Sequence, residues 1–120
     1  VSQIAAIGAF DAHDELQANK RSYMANRSLL LDALPKIGLD KIVPADGAFY
    51  LYVDVGAYTN DSLAFSKQML DEIAIAATPG IDFDTARGNR FIRFSYARST
   101  ADMTEAVARL KSWRVLSRQA

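Results

Sequence analysis

Cysteine is absent from this chain, which excludes a disulfide framework, a thiolate metal site and a thiol redox pair. Histidine occurs once, as His13, so a Ser-His-Asp triad has one candidate base and a polyhistidine metal site has none. His13 stands beside Asp14 and Glu15 without the i, i+4 spacing that converges on an ion, and reads as a solvated residue at a helix start. Neither sign of charge is in excess, with 14 basic and 14 acidic side chains. That balance disfavours nucleic acid or an anionic membrane as the main partner, since both attract a clustered basic surplus. No apolar run approaches the roughly 20 residues that span a bilayer. Glycine is sparse, and neither Gly47 nor Gly80 belongs to a glycine-rich phosphate loop. The opening Val1-Ser2-Gln3 has no methionine, charged leader or cleavage site, and is expected to continue from a longer polypeptide.

What remains is an ordinary globular composition: 50% hydrophobic and 23% charged over 120 residues, enough for a single core. Residues 2–12 are small and apolar and suit a closely packed helix, weakened at Gly8. A long helix is expected from about Asp14 to Leu34, with Leu16, Tyr23, Leu30 and Leu34 at helical spacing and Met24 and Leu31 beside them. Its narrow apolar stripe is that of a connector between two bodies. Pro35 ends it and Gly38 marks the following loop.

Beyond that loop, residues 40–43 could add an edge strand. The clearest strand is 48–55, with Phe49, Leu51, Val53 and Val55 on one face and Tyr50, Tyr52 and Asp54 on the other. Asn60 or Asp61 caps a helix from about Leu63 to Ile73, with Leu63, Leu70 and Ile73 inward and Met69 beside them. A strand over 73–78 feeds a Pro79-Gly80 turn, in which glycine would accept a positive φ. Asp84 to Arg90 is a polar excursion, in which Asp82 and Asp84 are expected to pair at the surface with Arg87 and Arg90. Ser99 or Thr100, with Asp102, then caps a final helix whose buried stripe is Met103, Val107, Leu110 and Trp113.

Between excursion and helix lies Phe91 to Tyr96. Alternation puts Ile92, Phe94 and Tyr96 on one face and Phe91, Arg93 and Ser95 on the other. A lone mid-strand arginine is costly unless it meets an anion. Its donor fork fits a carboxylate or phosphate, and an internal salt bridge to Asp82, Asp84 or Asp54 is an equal alternative. The order of elements predicts an α+β fold, a small antiparallel or mixed sheet with helices packed on one face, preceded by the long connecting helix.

Three segments in register, Pro44-Ala45-Asp46-Gly47-Ala48-Phe49-Tyr50-Leu51, Ala77-Thr78-Pro79-Gly80-Ile81-Asp82-Phe83 and Phe91-Ile92-Arg93-Phe94-Ser95-Tyr96-Ala97, resemble the C-terminal part of class I/II aminotransferases. These are fold type I, pyridoxal-phosphate-dependent enzymes similar to bacterial aspartate aminotransferase. The resemblance implies that residues 1–12 end the large cofactor domain, 13–36 form the interdomain helix and 37–120 the C-terminal small domain. It assigns Arg93 to the substrate α-carboxylate. It places Phe83 near the same pocket, an ordinary core phenylalanine being the alternative. The catalytic lysine, cofactor-binding residues and much of the side-chain pocket lie upstream in that family, and Lys20, Lys36, Lys41, Lys67 and Lys111 all stand in polar or helix-surface settings. No catalytic, cofactor or metal residue is therefore expected here, and these residues alone are expected to be inactive. Amino acid and 2-oxo acid substrates, the missing large domain, a homodimer and a cytoplasmic location follow by the same resemblance. Alternatives are another fold type I chemistry (lyase, decarboxylase or synthase), a free-standing amino-acid-binding regulatory module, and a purely structural interaction domain.

Overall fold

The computed structural model describes residues 1–116, so the last four residues of the expected 37–120 segment lie outside it. Seven elements follow in order: α1 (Ser2–Ala9), α2 (His13–Ala33), β1 (Tyr50–Asp54), α3 (Ser62–Ile73), β2 (Thr78–Pro79), β3 (Phe91–Ser95) and α4 (Thr100–Ser112). The strands form one antiparallel sheet in the order β1-β3-β2, with Tyr52 opposite Arg93 and Thr78 opposite Arg93 from the other side. Period-two alternation then sorts the side chains. Leu51, Val53, Val55, Ile92, Phe94 and Tyr96 are buried in one cluster with Leu30 and Leu34, with Phe65 and Met69 of α3, and with Met103 and Leu110 of α4. All three long helices thus cover one face of the sheet, as the α+β reading requires.

Helix ends follow their local chemistry. Asp61 caps α3 by accepting from the Ala64 N–H at 3.0 Å, and Ser99 caps α4 by accepting from the Asp102 N–H at 3.1 Å. Gly38 is left-handed, at φ 88°, where the chain leaves the turn after α2. The α4 stripe is as expected, with Met103, Leu110 and Trp113 buried and Val107 packed against the core.

Several expectations are corrected. The helix over 2–12 stops at Ala9 and buries no side chain. Residues 40–43 give only a bridge, Ile42 to Val53. The strand over 73–78 shrinks to Thr78–Pro79, because Ile73 still belongs to α3 and Ala74 turns left-handed at φ 53° to end it. The inward face of α3 is Ser62, Phe65, Ser66 and Met69, while Leu63 and Leu70 are 46% and 51% exposed. Phe65 packs tilted against the Trp113 ring at 5.1 Å, so the bulkier aromatic sets the rotation of the helix and the offset leucines face outward. Phe49, Leu16 and Met24 are likewise exposed.

One buried polar residue carries no apolar signal at all. Asn26 of α2 is fully buried and its Nδ2 donates to the carbonyls of Tyr96 at 3.0 Å and Arg98 at 2.7 Å. Next to it, Arg27 Nε donates to the Ala45 carbonyl at 2.8 Å. One turn of α2 thus grips both the end of β3 and the loop before β1. Asn26→Ala strands two acceptors, at least one of them buried, and is expected to cost about 1–2 kcal/mol, read by urea unfolding of the folded protein.

Candidate functional site

The uncovered face of the sheet carries Tyr50, Tyr52, Phe91, Arg93 and Thr78, and residues 80–90 fold over one end of it. That excursion is held by backbone contact. The Pro79-Gly80 pair is not the positive-φ turn expected: Pro79 is extended and Gly80 opens a 3-10 turn. Glycine is required for another reason, since a Cβ on Gly80 would stand 2.7 Å from the Gly88 carbonyl oxygen and 2.8 Å from that of Phe91.

Arg93 is half-buried in mid-strand. Its guanidinium carbon lies 4.5 Å from the centroid of the Tyr50 ring and 4.9 Å from that of Phe83. Its Nη2 approaches the Thr78 hydroxyl at 3.4 Å, a long contact. The internal salt bridge offered as an alternative does not form. Asp54 takes Arg90, with Nη2 to Oδ2 at 2.9 Å and Nε to Oδ1 at 3.1 Å. Asp84 takes Arg87 at 3.6 Å. Among the described residues no carboxylate pairs with Arg93. The expected surface pairing is thus partly found, for Asp84 with Arg87, while Arg90 turns to Asp54 instead of Asp82.

Phe83 is not a core residue: it is 48% exposed and flanks Arg93. Beside it the Tyr52 ring stacks on Phe91 at 4.5 Å, and its hydroxyl lies 3.4 Å from Asp84 Oδ2. Burial, followed by the Asp84 charge, pushes the Tyr52 hydroxyl above its ordinary range. Hydrogen bonds from the Arg87 and Ala86 N–H groups, with the Arg87 charge, hold Asp84 below the usual carboxylate range against some burial. Burial works to raise Asp54, but the Gly56 N–H and Arg90 together bring it below that range. Both acids beside the site are therefore ionised near neutral pH and engaged with Arg87 and Arg90, and neither pairs with Arg93.

Reading residue types along the chain missed Tyr50 and Thr78. Alternation put Tyr50 on the right face of its strand, but the register that brings it to Arg93 becomes visible only in three dimensions. His13, at the exposed start of α2, is remote in sequence from this group. Among the described residues no grouping of three His, Asp or Glu could hold a metal ion, and no helix is long and apolar enough to cross a membrane. The five lysines are all exposed, whereas a lysine that forms an imine is held in a desolvated pocket.

Comparison with known proteins bears on this geometry. The family model described as aminotransferase class I and II matches residues 1–110. A valine–pyruvate aminotransferase of Mycobacterium tuberculosis is 52% identical over 115 residues, covering 94% of this chain and 30% of that protein. The crystal structure of a putative aminotransferase from Silicibacter pomeroyi superposes with a TM-score of 0.90 at 50% identity, covering 98% of this chain and 31% of the other. A crystal structure of an aminotransferase from M. tuberculosis gives a TM-score of 0.88 at 53% identity, covering 93% and 30%. The chain thus spans about 30% of the length of the curated relatives it matches.

Proposed function

This chain belongs to the class I and II aminotransferase family, and we propose that it acts as the C-terminal part of an enzyme moving an amino group between an amino acid and a 2-oxo acid. In this reading Arg93 binds the substrate α-carboxylate. The observation that carries it is a half-buried guanidinium on an open sheet face, flanked by two aromatic rings and paired with no carboxylate among the described residues. Burying an unpaired cation costs free energy, and a bound anion offsets that cost. The carboxylate is also the group that the amino acid and the 2-oxo acid share, so one clamp serves both halves of the exchange.

Pyridoxal phosphate, which the family implies, supplies the electron sink for the amino acid Cα. The residues described here do not fit as its seat, the exposed lysines least of all, and we assign its attachment to other parts of the protein. What these residues contribute is orientation. A two-point contact between guanidinium and carboxylate fixes the direction of the remaining bonds at Cα, where a loose charge contact would let the substrate rotate. We assign residues 1–12 to the edge of a larger cofactor domain, 13–36 to the connecting helix and the rest to a closing lobe, within a cytoplasmic homodimer. The 120 residues alone are then inactive.

Valine with pyruvate is the pair to assay first, given the 52% identical mycobacterial relative of that name. The full-length protein loaded with pyridoxal phosphate should form alanine and the 2-oxo acid of valine in equal amounts. Ammonia or carbon dioxide released without alanine would instead establish lyase or decarboxylase chemistry. Tight binding of an amino acid by the 120 residues alone would favour a regulatory module.

A further inference from the structure

We infer that Tyr50 is a positioning residue for the carboxylate clamp, holding the Arg93 guanidinium by its face so that the edge carrying the N–H donors stays free for substrate. The inference rests on the reading of Arg93 given above and extends it to a residue with no chemistry of its own.

The geometry assigns this role step by step. Tyr50 precedes Tyr52 by two residues on β1, so both rings project from the uncovered face. Tyr52 is directly opposite Arg93, yet its ring turns to Phe91, at 4.5 Å, and to Phe83, at 5.4 Å. The ring that meets the guanidinium is that of Tyr50, at 4.5 Å from its central carbon, nearer than Phe83 at 4.9 Å. A cation over an aromatic ring is attracted by the negative π face and uses none of its hydrogen-bond donors. Guanidinium is planar and carries five N–H donors around its edge. An arginine held by a carboxylate would have its edge already satisfied, as Arg90 has at Asp54. One held by rings is oriented and still has its donors, apart from the one turned toward Thr78. The Tyr50 ring has a further neighbour in Phe49, whose ring is tilted against it at 4.5 Å.

The hydroxyl has no part in this account, which separates the ring from the residue. Tyr50→Phe keeps the π face and should leave both Michaelis constants unchanged. Tyr50→Leu removes it and should raise KM about tenfold for the amino acid and for the 2-oxo acid alike, with kcat within about twofold, because the loss weakens binding of two substrates that share one carboxylate. Tyr50→Met keeps the bulk without the π face and should repeat the leucine result, which covers a leucine variant that does not fold. The measurements are steady-state kinetics on the full-length holoenzyme, with the melting temperature of each variant alongside.

Arg93→Lys belongs in the same series. If that variant keeps wild-type Michaelis constants, the carboxylate reading of Arg93 fails and the role of Tyr50 fails with it. If it loses activity while Tyr50→Leu and Tyr50→Met match wild type, only the Tyr50 inference is overturned. Loss in Tyr50→Phe equal to that in Tyr50→Leu would also overturn it, by showing that the hydroxyl acts and not the ring.

Discussion

Arg93→Leu in the full-length enzyme is expected to lower kcat/KM by about a hundred- to ten-thousandfold while leaving thermal stability unchanged or slightly higher. The two halves of that result come from the same geometry. Removing the cation from a desolvated carboxylate contact costs about 2–5 kcal/mol of binding, much of it from the carboxylate left unpaired, and loss of orientation at Cα adds to it. Folding, in contrast, loses little. Arg93 gives up a 3.4 Å contact to Thr78 and the faces of two rings, while a leucine fills a half-buried strand position with no desolvated charge. Had Arg93 been a structural ion pair with Asp54 or Asp84, the same substitution would have stranded a carboxylate and lowered stability. Kinetics and calorimetry on one variant therefore decide between a ligand-binding and a structural arginine. Arg93→Lys sharpens the test, because it keeps the charge and removes only the planar fork.

That arginine was the part of the site most legible in the sequence, for a simple reason. A charged residue between apolar neighbours in a strand violates the local pattern, and such violations concentrate where a ligand is bound. Nothing about Tyr50 violates a pattern: an aromatic in a strand is what strand propensity favours, and only the β1–β3 register turns it toward Arg93. The fold shows the same division. Long periodic segments, such as α2 and α4, announced themselves, as did the alternating runs of β1 and β3. The pattern is silent where a helix carries apolar residues on more than one face, and where a segment is too short to have a period. On α3, Leu63 and Leu70 are expected inward yet face solvent, while the unmarked Phe65 turns to the core and meets the Trp113 ring at 5.1 Å. The run after α3 has strand composition, yet Ala74 turns left-handed and only Thr78 and Pro79 reach the sheet. Asn26 was illegible for a third reason, since a polar residue on a mostly solvated helix reads as solvated, and its two carbonyl partners are 70 and 72 residues away.

Gly88→Ala is expected to be the most damaging single-methyl change in the chain, costing about 3 kcal/mol or more and weakening substrate binding at the same time. A Cβ at Gly88 would sit 2.5 Å from the Gly80 carbonyl oxygen and 2.5 Å from the Ile81 nitrogen, with the Gly80 carbonyl carbon also in contact. These are backbone atoms, so no rotamer change relieves the overlap. The clash is reciprocal: Gly80 is buried against Gly88 and Phe91, and the two short 3-10 turns meet backbone to backbone. Separating them must move the segment between, which carries Phe83 onto Arg93 and Asp84 onto Tyr52. Stability and KM should therefore shift together in Gly88→Ala, unlike Arg93→Leu, where activity falls alone. Gly8→Ala is the control. A Cβ there meets nothing within 4 Å, it lies in the last turn of α1, and alanine is favoured over glycine by up to about 1 kcal/mol in a helix. A Gly88→Ala protein with the melting temperature of wild type would mean that the two turns do not touch, and that Phe83 is placed by something other than this glycine pair.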